Sequence, residues 1–356
     1  MCNQSRFLND ILSRKKVVFY GIGNQFRECI KEFEGQMEIY LFDSYKFGTM
    51  QGKYLIYSPE ELNKYYRHGD AVVISSIKNQ YEIARSLVDR YGVAREDLFS
   101  YTSKDYEEKI YRQDIISENK SKIKEAYSLL ADHASKEYWE NSLMMRITRQ
   151  PLYIKPNENA VVTGEYKNVL ELEKGDIIID CGAYIGDTAE NYIRRLLGDC
   201  FIYAIEPFGD SFAKLEENIK KNNWKSVKAY HCAVGGSEGK TELHYSEDDF
   251  KMGITVGKVA GSCTEEVEVQ TLDKLFGELP KIDYIKMDIE GQEVPALRGA
   301  AEILKHKAPK LMISGYHKLS DFWEIPLLVK EMNPKYKIYV GHAPGVSTEV
   351  EYYCKV

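Results

Sequence analysis

Short apolar runs that close on a glycine or an acid recur along the chain, and between them apolar residues return every three or four positions. The run KVVFY at residues 16–20 is β-branched and aromatic, ends at Gly21-Ile22-Gly23-Asn24 and leads into the helix-like segment QFRECIKEF. A second run at 38–42 stops at Asp43; a glycine-bearing turn, the segment 54–57, a helix start at Ser58-Pro59-Glu60-Glu61 and an apolar strand at 71–75 follow. Strand, glycine turn, helix and strand in this order predict a βαβ unit in a parallel sheet.

From 103 to 149 glycine and proline disappear, and the apolar residues Ile123, Ala126, Tyr127 and Leu130, then Tyr138, Trp139, Leu143 and Met144, follow a helical period. Pro151 and Pro156 close this stretch. Beyond it the pattern returns to strands: 176–180 (DIIID), 201–205, 227–232, 283–288 (DYIKMD) and 310–314, with a terminal hairpin from 336–340 and 349–353. The division expected is a small Rossmann-like α/β domain over 1–103, a helical connector over 104–150 and a larger α/β domain over 151–356. The stretch 236–270 is too long for a plain connection. Alternating runs at 241–245 and 267–270 predict added strands around a tip carrying Gly253, Gly257 and Gly261.

Length and composition fit this division. The 356 residues carry 44% hydrophobic and 29% charged residues, which excludes global disorder and suggests two domains. No apolar run approaches the roughly 18 residues of a bilayer span, and the first residues lack a signal-peptide core, so a cytoplasmic protein without a membrane span is expected. A net charge of −7 without a long basic run gives no support for a nucleic-acid partner. Seven dispersed cysteines without a C-x-x-C pair read as free thiols in a reducing compartment. The 27 tyrosines are the unusual component, and most suit half-buried strand positions.

Two glycine turns carry candidate chemistry. In the first, Gly21 and Gly23 would let the backbone approach a phosphate at a helix N-terminus, and Asp43 at the next strand end could hold a ribose hydroxyl. Phe26 stands where the third glycine of the dinucleotide fingerprint belongs, so nucleotide binding and a purely structural turn both stay open. In the second, Asp180 ends one strand, the turn Gly182-Ala183-Tyr184-Ile185-Gly186 follows, and Glu206-Pro207 ends the next strand. This turn lacks the Lys-Ser/Thr pair of a phosphate loop, and its acids would repel phosphate. They suit a ligand with a ribose diol, an ammonium and a sulfonium, as in S-adenosyl-L-methionine. Glu206 would accept the ribose hydroxyls, and Gly182 and Gly186 would let the backbone close on the methionine part. Ala233 and Val234, after the third strand, would flank the adenine.

The segments IIIDCGAYIGDT (177–188), AIEP (204–207), CAVGGSEG (232–239), TLDKL (271–275), IKMDIEGQEVPALRGA (285–300) and YHKLSDFWEIPLLVK (316–330) together resemble an FkbM-type S-adenosylmethionine-dependent methyltransferase over residues 125–356. The resemblance implies the class I methyltransferase sheet of seven strands, the last antiparallel, and methyl transfer to a hydroxyl of a sugar, polysaccharide precursor or secondary metabolite. It leaves the first hundred residues uncovered.

Methyl transfer from a sulfonium is an in-line displacement in which position dominates and a base removes the hydroxyl proton. Asp288 and His317 are the candidates, with His317 preferred because an unperturbed imidazole is mostly neutral near pH 7. Asp288 or Glu290 could instead hold the cofactor's ammonium, and His317 could be a core histidine. Asp180 orients the methionine amino group, while Asp187 and Thr188 are helix-start residues or contacts to the cofactor. Asp288, Glu290 and Glu293, the last opening the next helix, cluster closely, but no metal is expected, because Ser314-Gly315-Tyr316 offers no second acid-amide pair. The partner is a small-molecule or glycan acceptor; a homo-oligomer stays open. Two rivals remain: an NAD- or nucleotide-sugar-dependent enzyme using the first turn, and a cofactor-binding protein without turnover.

Overall fold

The computed structural model describes residues 6–23, 26–76, 79–101, 112–153, 170–245, 263–342 and 349–356. The chain divides into two units, residues 1–118 with 137–158 and 344–348, and residues 119–136 with 159–343 and 349–356. The helix His133–Thr148 crosses from the second to the first, so the helical stretch read as a connector is shared between the units. Pro156 and the glycines 253, 257 and 261 lie outside the described residues. Among the described residues no helix is long and apolar enough to cross a membrane.

The first unit contains strands β1 (Lys16–Tyr20), β2 (Glu38–Phe42), β3 (Met50–Gln51), β4 (Tyr54–Tyr57), β5 (Ala71–Ile74) and β6 (Leu98–Ser100). They form one sheet in the order β3-β4-β2-β1-β5-β6, parallel except for β3. Alternation along β1 explains how the sheet is covered on both faces. Val17 and Phe19 enter one core with Phe26 and Phe33, while Val18 and Tyr20 enter another with Phe42 and Leu62. The helix-like segment after Gly23 resolves into a short turn of helix, Phe26–Cys29, and a 3-10 turn, Ile30–Glu32. Phe26 is fully buried and meets the Phe19 ring edge-on at 5.4 Å, so a core side chain fills the position where a third glycine would admit a pyrophosphate.

The second unit contains β7 (Asp176–Cys181), β8 (Cys200–Ile205), β9 (Val227–Tyr230), β10 (Ala233–Val234), β11 (Gly239–Tyr245), β12 (Cys263–Gln270), β13 (Tyr284–Met287), β14 (Lys310–Ser314), β15 (Lys337–His342) and β16 (Val350–Lys355). Seven of them make a sheet in the order β15-β16-β14-β13-β7-β8-β9, in which β16 runs antiparallel to both neighbours. The run Ile178-Ile179 is buried without a polar face because strands in the middle of a parallel sheet are covered on both sides. Truncating either isoleucine to Ala is expected to cost about 2–5 kcal/mol. β8 and β9 lie to one side of β7 and β13 and β14 to the other, so the strand order reverses at β7. The carboxyl ends of β7 and β13 therefore border the crevice in which such sheets hold ligands. A separate sheet, β10-β12-β11, pairs the two strands of the long insertion antiparallel.

Candidate functional site

The parallel register puts chemistry at the reversal point. Lys286 of β13 is the direct partner of Asp180 on β7, so both side chains emerge on one face. Lys286 Nζ lies 3.1 Å from Asp180 Oδ1 and donates to the Gly182 carbonyl at 3.1 Å. Asp180 is fully buried, and among the described residues its Oδ2 has no hydrogen-bond partner. Burial pushes the Asp180 carboxyl up against the pull of Lys286. Burial would favour a neutral Lys286, but Asp180 and then Asp288 hold its ammonium well above the ordinary range.

The turn after β7 is bent by need. Gly182 has φ +80°, and a Cβ there would stand 1.9 Å from the Asp288 carbonyl oxygen, so the β7 and β13 loops touch backbone to backbone. The amides of Gly182 and Ala183 both donate to the Ile205 carbonyl at 3.0 Å, which fastens the turn to the end of β8. Tyr184 has φ +49° and Glu290 has φ +55°, left-handed conformations that branched or bulky residues adopt only when surroundings enforce them. Gly186, at φ +91°, is the N-cap of the helix Asp187–Arg195. Asp187 and Thr188 thus sit in the first turn of that helix, and Asp187 does not cap it.

Glu206 is buried at the end of β8, its Oε2 accepting from the Tyr184 amide at 2.8 Å and its Oε1 from the Phe208 amide at 3.0 Å. Burial raises this carboxyl to about 7 in spite of both donors. Each oxygen keeps a lone pair, so both can accept further. The Pro207 carbonyl accepts from His231 Nε2 at 3.1 Å. The insertion closes on the same loop, because Glu265 Oε2 of β12 accepts from the Gly209 amide at 3.0 Å. Ala233 and Val234 pair with β12 just beyond the end of β9.

At the end of β13, Asp288 Oδ1 accepts from the Tyr316 hydroxyl at 3.0 Å. Burial works against its charge, yet Lys286 and then His317 hold the carboxyl below its usual range. His317 Nδ1 lies 2.9 Å from Glu293 Oε1, and its Nε2 lies 3.5 Å from both Asp288 Oδ1 and Glu290 Oε2. Burial alone would lower the imidazole, but Glu293, Asp288 and Glu290 raise it to about 9. The expected neutral His317 is therefore corrected: three carboxylates keep its proton on at neutral pH. Lys286 escaped the sequence reading as a site residue, although a lysine inside an otherwise apolar strand was the available signal.

In the first unit, Asp43 holds its own glycine turn. Its Oδ2 accepts from the Ile22 amide at 2.8 Å, and its Oδ1 accepts from the amides of Tyr45 at 2.8 Å and Lys46 at 3.0 Å. Gly21 takes φ +90° against Ser76. Gly23 is followed by residues outside the described set. The geometry joins Gly21 and Asp43 in a self-contained turn, with Asp43 spent on backbone amides rather than directed outward.

A parallel sheet reversed at its central strand, a glycine turn between two acids and an antiparallel last strand define the fold of a methyltransferase. Residues 180–336 match the family model of the methyltransferase FkbM domain. The fold agrees with the crystal structure of Methyltransferase FkbM from Methylobacillus flagellatus KT, at TM-score 0.70 and 20% identity over 99% of this chain and 93% of that one. Among curated proteins, Methyltransferase 1 of Beauveria bassiana is 27% identical over 34% of this chain and 57% of its own length. Methyltransferase sdnD of Sordaria araneosa is 26% identical over 40% of this chain and 67% of its own. The match thus spans little more than half of the first of these relatives.

Proposed function

We propose that the protein is an S-adenosyl-L-methionine-dependent O-methyltransferase acting on a hydroxyl of a sugar, polysaccharide precursor or secondary metabolite in the cytoplasm. The observation that carries the reading is the acid pair at the ends of β7 and β8. Among the described residues Asp180 Oδ2 is buried without a hydrogen-bond partner, and Glu206 is fixed by two amides with lone pairs to spare. Those residues fit the cofactor. Glu206 would hold the ribose diol, and Asp180 with Lys286 would set the charge around the methionine end. The acidic, phosphate-repelling turn favours a cationic ligand over a nucleotide.

When bound, S-adenosylmethionine supplies an electrophilic methyl group. The chain's own part is positional. Asp288, half-buried at the end of β13, orients the acceptor hydroxyl and receives its proton, while His317 and the Tyr316 hydroxyl hold the Asp288 carboxylate in place. The insertion, tied to the Glu206 loop through Glu265, would border the acceptor. Isotope-labelled S-adenosylmethionine offered with a panel of sugars, glycosides and phenols tests the reading. Label in an O-methyl product, abolished in Asp288→Ala, is expected. Label found only on nitrogen or carbon acceptors, or on none with a folded enzyme that binds the cofactor, would contradict it.

A further inference from the structure

Alternation along β12 turns Glu265, Val267 and Val269 to one side of the hairpin and Glu266 and Glu268 to the other. The outer pair is exposed and shares Lys240 of β11, at 2.7 and 3.6 Å. On the inner side Val267 is buried, and a Cβ added at Gly235 would meet Val269 at 2.7 Å. Glu265 is the charged member of that inner row, with 27% of its side chain exposed, so apolar packing does not account for it. Its carboxylate lies against the start of the helix Gly209–Lys221, whose N-cap, Phe208, supplies no side-chain cap. Two acids take the first amides instead: Glu206 Oε1 accepts from Phe208 and Glu265 Oε2 accepts from Gly209, each at 3.0 Å. Both carboxylates sit where a helix N-terminus favours negative charge. A Cβ at Gly209 would stand 2.8 Å from Glu265 Oε1, so the glycine leaves the room that this carboxylate occupies. From the other side, the end of β9 holds the same loop. The Tyr230 carbonyl accepts from the Glu206 amide at 3.1 Å, and His231 donates to the Pro207 carbonyl while its ring stacks on Phe212 at 4.7 Å.

We propose that Glu265 is a positioning residue of the cofactor site, a latch through which the β11–β12 hairpin holds the carboxylate of Glu206 ready for the ribose diol. It acts through the Phe208–Gly209 turn: Glu265 fixes the Gly209 amide, and the adjoining Phe208 amide orients Glu206 Oε1. Without the latch other positions open to the turn, the fraction of molecules with Glu206 in place falls, and the apparent dissociation constant rises by the inverse of that fraction. Linkage makes the effect reciprocal, so a bound adenosyl ligand steadies the hairpin in turn. This role rests on the cofactor reading and extends it to the insertion.

The test is calorimetry of S-adenosylmethionine and S-adenosylhomocysteine against the full chain, Glu265→Ala, Glu265→Gln and Glu266→Ala. Glu265→Ala should bind both ligands about tenfold more weakly, the loss of one hydrogen bond to a charged group. Glu265→Gln keeps a neutral acceptor for the Gly209 amide and should recover part of that loss. Glu266→Ala removes the same charge from the outer side of the same strand and should bind as wild type does. Hydrogen exchange gives the reciprocal readout, which a merely structural role would not move: S-adenosylhomocysteine should slow exchange over 239–245 and 264–270 in wild type and not in Glu265→Ala. Wild-type affinity in Glu265→Ala, an equal loss in Glu266→Ala, or ligand protection of the hairpin that survives Glu265→Ala overturns the latch and leaves the cofactor reading intact. A folded wild-type chain that binds neither ligand overturns the cofactor reading and the latch with it.

Discussion

Replacing Gly182 by alanine tests whether the contact between the β7 and β13 loops shapes the cofactor turn. The new Cβ would stand 1.9 Å from the Asp288 carbonyl oxygen, whereas real Cβ atoms essentially never approach closer than 3.0 Å. One loop must therefore retreat by about 1 Å, an overpacking cost of about 1–3 kcal/mol. The φ of +80° adds about 1–2 kcal/mol for any residue with a Cβ. Gly198→Ala separates the two contributions, because Gly198 has φ +79° and a Cβ added there would meet nothing within 4 Å, so this variant suffers only the second. In thermal melts Gly182→Ala should fall below Gly198→Ala by roughly 2–12 °C, at about 2–4 °C per kcal/mol for a unit of this size. In calorimetry it should lose about 100-fold in S-adenosylmethionine affinity, as expected for a site displaced by 1 Å, while Gly198→Ala keeps its affinity. Equal melting of the two variants together with wild-type affinity in Gly182→Ala would refute the argument.

Lys286→Met should destabilise the fold by about 3–5 kcal/mol by leaving the buried Asp180 carboxylate uncompensated, and the double variant with Asp180→Asn should recover much of that loss in denaturant titrations. If the single and double variants unfold alike, the pair is not coupled. Glu351 is buried at the start of the β16 edge facing β14, and burial raises its carboxyl from 4.5 to about 8. The folded protein then holds a proton that the unfolded chain has released, so this contribution is full below about pH 4.5 and is lost as pH rises through 8. Glu351→Gln should be more stable than wild type at pH 9 by up to about 5 kcal/mol, with the difference gone near pH 4.5. A pH-independent difference would contradict the assignment. Glu206, raised to about 7, must be ionised to serve as a double acceptor, so S-adenosylmethionine affinity should rise from pH 6 to pH 8 and lose that dependence in Glu206→Gln.

The strands were legible because apolar runs such as Ile177-Ile178-Ile179 and 201–205 end abruptly at acids, and the acids mark where the sheet stops and a ligand can begin. Which residues face each other across those strands was not legible. Asp180 and Lys286 are about a hundred positions apart, and only the β7–β13 register makes them partners. Glu293 read as a helix-start residue because its partner, His317, arrives from beyond β14. The charge state of His317 could not follow from its own neighbours in sequence, since two of the three carboxylates that set it belong to the loop after β13 and the third opens the next helix. In the first unit, the missing third glycine was visible, but that Phe26 fills the gap as a core ring against Phe19 required the fold.

The most direct measurement is a calorimetric titration of S-adenosylmethionine and S-adenosylhomocysteine into the full chain and into Glu206→Ala, with melting curves to confirm that both are folded. Loss of a charged acceptor is expected to cost about 2 kcal/mol. The account predicts one site per chain for both ligands and an affinity about 30-fold lower in Glu206→Ala. Folded wild-type protein that binds neither ligand, or a Glu206→Ala variant that binds them as tightly as wild type, would contradict it.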